Sequence, residues 1–154
     1  NGVFPMRIRK ATIKDAKEIA KIEWESGYKW NKNKKECIKL TNKIFDEKYC
    51  EVYILENKES IGYFAISFNQ NKKNCYLNYF GIRKKYQGKG LSYIMIRKVI
   101  DIAKRNKSKD IELTVWSKNF PAIASYNKFQ FYITEITKNK YANGDSKLRM
   151  RKDL

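Results

Sequence analysis

Residues 87–92 read Gln-Gly-Lys-Gly-Leu-Ser, directly after the hydrophobic run 74–82. Two glycines in three residues cost conformational entropy, and they are kept where backbone must turn sharply or pass where a side chain would collide. Leu91, Ile94, Met95, Val99 and Ile102 then recur at helical spacing, to about Arg105. A strand, a glycine loop and a helix in succession gather unpaired amides and the positive end of a helix dipole, which suits a phosphate group. An ordinary strand-to-helix turn uses the same residues. Spacing excludes two familiar phosphate loops. A Walker loop needs glycine at 83 and Ser or Thr at 90, which are Arg83 and Gly90; a dinucleotide fingerprint needs glycine at 93, which is Tyr93.

Histidine is absent. The usual metal ligand, the Ser-His nucleophile pair and the default general base at neutral pH are therefore excluded, and no metal site is expected. Chemistry must run on Tyr, Glu, Asp, Cys, Lys or the backbone. The net charge of +18, from 34 Lys and Arg against 16 Asp and Glu, attracts polyanions: nucleic acid, an anionic membrane surface or a phosphorylated cofactor. Much of it can equally be solvated surface, since no basic helix with interleaved aromatics stands out. Cys37, Cys50 and Cys75 are odd in number, widely spaced and without zinc spacing, which fits a reduced, cytoplasmic protein. No apolar run approaches the roughly 20 residues needed to cross a bilayer.

The remaining elements follow from periodicity and turn residues. Residues 6–12 alternate as a short strand, and a helix follows, opened by Thr12 and Asp15 at capping-box spacing and closed by Gly27. A polar, aromatic loop spans 28–35 and a helix 36–49. Strands at 50–57, 60–69 and 74–82 are separated by hairpin-length turns. Beyond the glycine-loop helix come a strand at 110–116, a short helix at 119–129 with Pro121 in its first turn, and two strands joined through Asn143-Gly144. The order is β-α-α-β-β-β-α-β-α-β-β. It predicts an α/β fold, with a mixed, mostly antiparallel seven-stranded sheet flanked by helices, in one domain over residues 6–154. Residues 1–5 are read as a vector-derived or disordered extension.

The loop resembles the acetyl-CoA motif of the GNAT N-acetyltransferase superfamily, Gln/Arg-x-x-Gly-x-Gly/Ala, with Ser92 at its last small position. Residues 119–131 resemble that family's later motif, Asn-x-x-Ala-x-x-Leu-Tyr-x-Lys-x-Gly-Phe. Asn119, Ala122, Tyr126, Lys128 and Phe131 are in register, while Ser125 replaces Leu and Gln130 replaces Gly. The tail is weakly similar to RimI/Ard1-type N-terminal acetyltransferases, with Tyr141 matching one of two tyrosines and Lys140 replacing the other.

The resemblance implies a GNAT-like acyl-CoA N-acyltransferase fold that moves an acetyl group from acetyl-CoA directly to a primary amine, a small molecule or a peptide N-terminus. It implies main-chain contacts from Phe80 and Ile82 to the pantetheine arm, phosphate contacts from Gln87, Gly88, Lys89, Gly90, Leu91 and Ser92, and cofactor contacts from Asn119 and Tyr126. Tyr126 is the implied proton donor. Related N-terminal acetyltransferases often carry Glu five residues before the motif Asn; here that residue is Thr114. Glu112 faces the same side by strand alternation and is the candidate base, its alternative being a solvent-facing strand residue. Tyr28, Trp30 and Tyr141 are the candidate acceptor contacts. Nucleic acid and membrane are not expected as partners, and the oligomeric state stays open, a homodimer included. The alternative function is a basic RNA- or ribosome-binding module on a catalytically inactive GNAT fold.

Overall fold

A computed structural model describes residues 5–27, 33–69, 71 and 73–154. Tyr28 and Trp30 lie outside the described residues. The elements in chain order are β1 (Arg7–Lys10), α1 (Ala16–Glu25), α2 (Lys34–Asp46), β2 (Cys50–Glu56), β3 (Ser60–Phe68) and β4 (Asn74–Ile82). They continue with α3 (Leu91–Arg105), β5 (Asp110–Trp116), α4 (Phe120–Lys128), β6 (Tyr132–Thr137) and β7 (Lys147–Asp153). This is the succession expected from periodicity. The strands form one mixed sheet in the order β1-β2-β3-β4-β5-β7-β6. No helix among the described residues is long and apolar enough to cross a membrane.

The chain divides into two compact units, Asn1–Ser67 with Tyr79–Met95, and Phe68–Asn78 with Ile96–Leu154. In the first unit, β1, β2 and β3 pair antiparallel, with Ile8 opposite Leu55 and Val52 opposite Ala65. The entry to α1 is set by Asp15, whose carboxylate accepts from the Thr12 amide at 2.9 Å and from both terminal nitrogens of Arg9 at 2.8 and 3.0 Å. The Arg9 guanidinium holds this carboxyl below the usual range. Asn33 caps α2 by accepting from the Glu36 amide at 2.9 Å. Ile19 and Ile22 of α1 and Ile44 of α2 then close over Val52, Ile54, Tyr63 and Ala65 of the sheet.

In the second unit, β5 pairs along its whole length with β7, Asp110 opposite Asp153 through Trp116 opposite Lys147, and β7 pairs with β6. The β5 residues Ile111, Leu113 and Val115 are buried, as are Leu148 and Met150 of β7 and Phe131.

The strand that matters most is β4. Its parallel ladder with β5 covers only Asn74–Leu77 against Asp110–Leu113, and the strand then continues beside β3 to Ile82. At that end the Arg83 amide donates to the Ile61 carbonyl at 3.0 Å. Because main-chain groups alternate sides along a strand, those of Phe80 and Ile82 face away from β3. Gly62 lets the two strands approach here: a Cβ on it would lie 2.8 Å from the Gly81 carbonyl oxygen, 3.0 Å from Met95 Sδ and 3.2 Å from Ile82 Cγ1. Gly62→Ala should therefore destabilise the fold by about 1–3 kcal/mol, the usual cost of overpacking. Urea unfolding followed by circular dichroism measures it, and an unchanged midpoint would contradict this packing.

Candidate active site

Arg83, the residue that follows β4, is 2% exposed and draws in three carboxylates. Its Nη1 donates to Glu59 at 2.9 Å and its Nη2 to Glu18 at 3.2 Å, while Nε lies 3.1 Å from Glu25 but off the N–H direction, so that contact is coulombic. The arginine thereby joins α1, the β2–β3 turn and the exit of β4. Glu59 also accepts from Lys85 Nζ at 2.7 Å and from the Tyr86 hydroxyl. The Lys85 ammonium first, then the Tyr86 hydroxyl, bring the Glu59 carboxyl down to about 2.

The chain next makes a 3-10 turn, Lys84–Tyr86, and reaches Gln87. The Gln87 side chain donates to the Ile82 carbonyl at 2.8 Å and to the Ser26 carbonyl at 2.9 Å, and its amide donates to the Lys84 carbonyl at 3.1 Å. The side-chain amide of Gln87 and its backbone N–H thus donate within the protein and hold the base of the loop. Gly88 and Gly90 have φ of 74° and 76°, a region that L side chains rarely adopt. A Cβ on Gly88 would meet nothing within 4 Å, and one on Gly90 only Tyr93 Cδ2 at 3.8 Å. Open space, with left-handed backbone, marks a surface that an outside group can approach closely. The amides of Gly88, Lys89, Gly90 and Leu91 donate to no backbone carbonyl outside helices and strands among the described residues. Lys89 and Lys85 both stand over the Tyr86 ring, 5.8 and 5.1 Å from its centroid, Lys85 being paired with Glu59. Ser92 lies in the first turn of α3.

On the other side of the β4 end, the Tyr63 hydroxyl donates to Glu23 Oε1 at 2.6 Å inside the protein. A Cβ on Gly81 would lie 3.0 Å from the Tyr63 ring and 3.7 Å from that carboxylate oxygen. The sequence places Glu23 four residues after Ile19 on the apolar stripe of α1, where a carboxylate is unusual, but only the fold pairs it with Tyr63.

The second unit carries the other expected residues. Glu112 and Thr114 share the more exposed face of β5, as alternation predicts, with Glu112 in register with Tyr76 of β4 and Arg151 of β7. Asn119 caps α4, accepting from the Ala122 amide at 3.4 Å. Tyr126 is buried on α4, its ring 5.7 Å from that of Phe131, and its carbonyl accepts from the Phe129 and Phe131 amides at 3.1 Å each. Tyr141 is partly buried, which pushes its hydroxyl pKa up, and it lies in a loop organised by Asp145. That carboxylate accepts from Asn143 at 2.7 Å, from Trp116 Nε1 at 2.8 Å and from Lys118 at 2.9 Å, so the β6–β7 loop is fastened to the end of β5.

Gln130, which replaces the glycine common in the related motif, has φ of 68°. The departure is thus a strained turn rather than a different one. Gln130→Gly should stabilise the chain by about 1 kcal/mol, since the left-handed region costs a side chain roughly 1–2 kcal/mol and glycine loses some of this in unfolded-state entropy. Thermal melting reads the gain, and a lower midpoint would contradict the strain.

Comparison with known proteins agrees with this geometry. The Acetyltransferase (GNAT) family model matches residues 14–131. Among solved structures, the chain is similar to the ribosomal-protein-S18-alanine N-acetyltransferase of Escherichia coli, with TM-score 0.81 at 19% identity over 97% of this chain and 94% of that one. It is similar to yncA of Salmonella typhimurium, solved with acetyl-CoA, with TM-score 0.77 at 20% identity over 97% and 94%. A spermidine N-acetyltransferase SpeG mutant from Vibrio cholerae gives 0.78 at 18% over 96% and 93%. No curated protein sequence matches the chain. With the family model spanning both the glycine loop and the Asn119–Phe131 motif, the chain belongs to the GNAT acetyltransferase family.

Proposed function

We propose that residues 6–154 act as one enzyme domain that transfers the acetyl group of acetyl-CoA directly to the nitrogen of a primary amine. The observation that carries this reading is the end of β4. A strand runs past its short ladder with β5 into a loop with two left-handed glycines and a run of amides, and the loop is held from behind by Gln87 and Arg83. Phosphates fit that loop, whose glycines leave their side-chain space empty and whose lysines supply positive charge. When bound, acetyl-CoA supplies the thioester carbonyl as electrophile. The amides of Gly88–Ser92 would hold the phosphates, and the main chain of Phe80 and Ile82 would hold the extended arm. The Ile82 carbonyl is already taken by Gln87, so Ile82 contributes its N–H. That N–H would also be well placed to stabilise oxyanion charge as it develops.

The Tyr126 hydroxyl would give a proton to the departing thiolate, because a phenol stays protonated at neutral pH and so has one to give. Asn119 serves it by capping the helix that carries it. Glu112, in register with Arg151 across the β5–β7 ladder and half-buried, would be the candidate base. Tyr141 would border the acceptor from its fastened loop. Two of the similar structures are named for alanine and spermidine acetylation, which supports an amine acceptor.

Acetyl-CoA should raise the melting temperature increasingly as its concentration exceeds the dissociation constant. Gly90→Val should abolish most of that rise by filling the phosphate approach. A calorimetric titration with equal affinity for wild type and a folded Gly90→Val variant would overturn the loop assignment. Tyr126→Phe should keep acetyl-CoA affinity and lower kcat about tenfold or more, the usual scale of general acid catalysis. An unchanged kcat, with chemistry rate-limiting, would return Tyr126 to packing.

A further inference from the structure

We propose that the end of α3 and the turns beside it form a docking surface for the phosphate backbone of a nucleic-acid duplex. The surface lies within the second compact unit, at Lys73, Lys104, Arg105, Lys107 and Lys109. None of these residues is assigned to acetyl transfer, and the proposal does not depend on that reading. Nucleic acid, not expected from the sequence, thereby becomes a partner.

Backbone hydrogen bonds gather the five cations. α3 closes with Lys107 at φ 58°, its amide donating to the Lys104 carbonyl at 2.9 Å and the Ser108 amide to the Ala103 carbonyl at 3.0 Å. That pair of bonds is a common helix stop, and its left-handed position is usually glycine. The Lys109 amide then donates to the Lys73 carbonyl at 2.8 Å, bringing the residue before β4 against the residue before β5. All five side chains belong to exposed residues. Among the described residues none of them has a carboxylate within 4.0 Å. The nearby acids are engaged elsewhere. Asp110 is buried and accepts from the Asn74 side chain at 2.8 and 3.0 Å, and Asp153 meets Tyr132 and Arg151. Asp101, exposed one turn earlier on α3, and the buried Asp110 leave the cations in clear excess.

The helix terminus accounts for only part of this gathering. Its dipole is worth about half a negative charge, which settles one cation at most. Five on one surface repel one another, and a dense polyanion relieves that repulsion. The kind of polyanion follows from what the surface lacks. Residue 73 and residues 104–109 include no aromatic residue and no Leu, Ile, Val or Met. A single strand is held by stacking its bases on aromatic rings, and stable membrane anchoring needs an apolar anchor besides charge. A duplex backbone is held by cations alone. It carries one charge per about 1.7 Å of axis, so the run 104–109, at most about 18 Å long, faces on the order of ten phosphates. The side-chain amides of Asn74 and Asn106 are taken by Asp110 and by the Ile102 carbonyl, so neither is offered to base edges. Binding should therefore be independent of base sequence. Composition shows the charge without locating it, because Lys73 and residues 104–109 meet only in the fold.

The test uses the full chain and the fluorescence anisotropy of short labelled probes of mixed sequence: an RNA duplex, a DNA duplex and a single strand. Duplex affinity should fall from about 50 to 200 mM salt with a log–log slope of about −4, since each phosphate contact contributes about −0.9. The combined variant Lys104→Gln, Lys107→Gln and Lys109→Gln should bind at least about tenfold more weakly, with a slope shallower by about 2 to 3. The variant Lys34→Gln, Lys39→Gln and Lys43→Gln removes the same charge from α2 and should change affinity less than about twofold. Melting temperatures check that both variants are folded. Wild type alone gives a second reading: nitrogen-15 spectra should show the amides of Lys73 and residues 104–109 shifting as duplex is added. Binding of either duplex supports the inference, and the tighter of the two names the source. No duplex binding at low salt, equal losses in the two triple variants, or unmoved amides at Lys73 and 104–109 would each overturn it. So would a single strand bound more tightly than both duplexes, or phosphatidylserine vesicles bound while the duplexes are not.

Discussion

A buried guanidinium controls the end of β4. Arg83 is almost wholly removed from solvent, and stranding its charge there would cost several kilocalories per mole. Glu18, Glu25 and Glu59 surround it instead, one from each end of α1 and one from the β2–β3 turn. The arginine is one bond from the last strand residue and four residues before Gln87. It therefore fixes where β4 stops and where the glycine loop starts. Gln87 completes the brace by bridging the carbonyls of Ile82 and Ser26.

The same arrangement divides the labour of the strand. On the α1 face, Gly81 leaves room beside Tyr63 and Glu23. Along its edge, Phe80 and Ile82 direct main-chain groups away from β3. Gly62 permits the close β3–β4 contact that both depend on. Two glycines, Gly62 and Gly81, thus set the close approaches around one strand end.

Much of this was legible in the sequence, for physical reasons. Strand alternation and helical spacing depend on burial of one face, so the seven strands and four α-helices of the described residues were found in order. Turn residues with left-handed backbone, Gly88, Gly90 and Gly144, are legible because few residues tolerate that geometry. Gln130 showed the limit: the same geometry is present without the residue that usually announces it. The Arg83 cluster was not legible, because its carboxylates come from positions 18, 25 and 59 and only the fold gathers them. The motif position of Gln87 was legible, but only the fold shows its side chain bridging the Ile82 and Ser26 carbonyls. A motif identifies a residue that matters without saying which of its atoms does the work.

The central claim is that the β4 end and the glycine loop form one surface for an extended, phosphorylated ligand. A nitrogen-15 NMR titration of the chain with coenzyme A tests it residue by residue. The account predicts the largest amide shifts at Phe80, Ile82 and Gly88 through Leu91, saturating together with a single dissociation constant. Shifts confined to other lysine-rich surface, with Ile82 and Gly88–Leu91 unmoved, would contradict it.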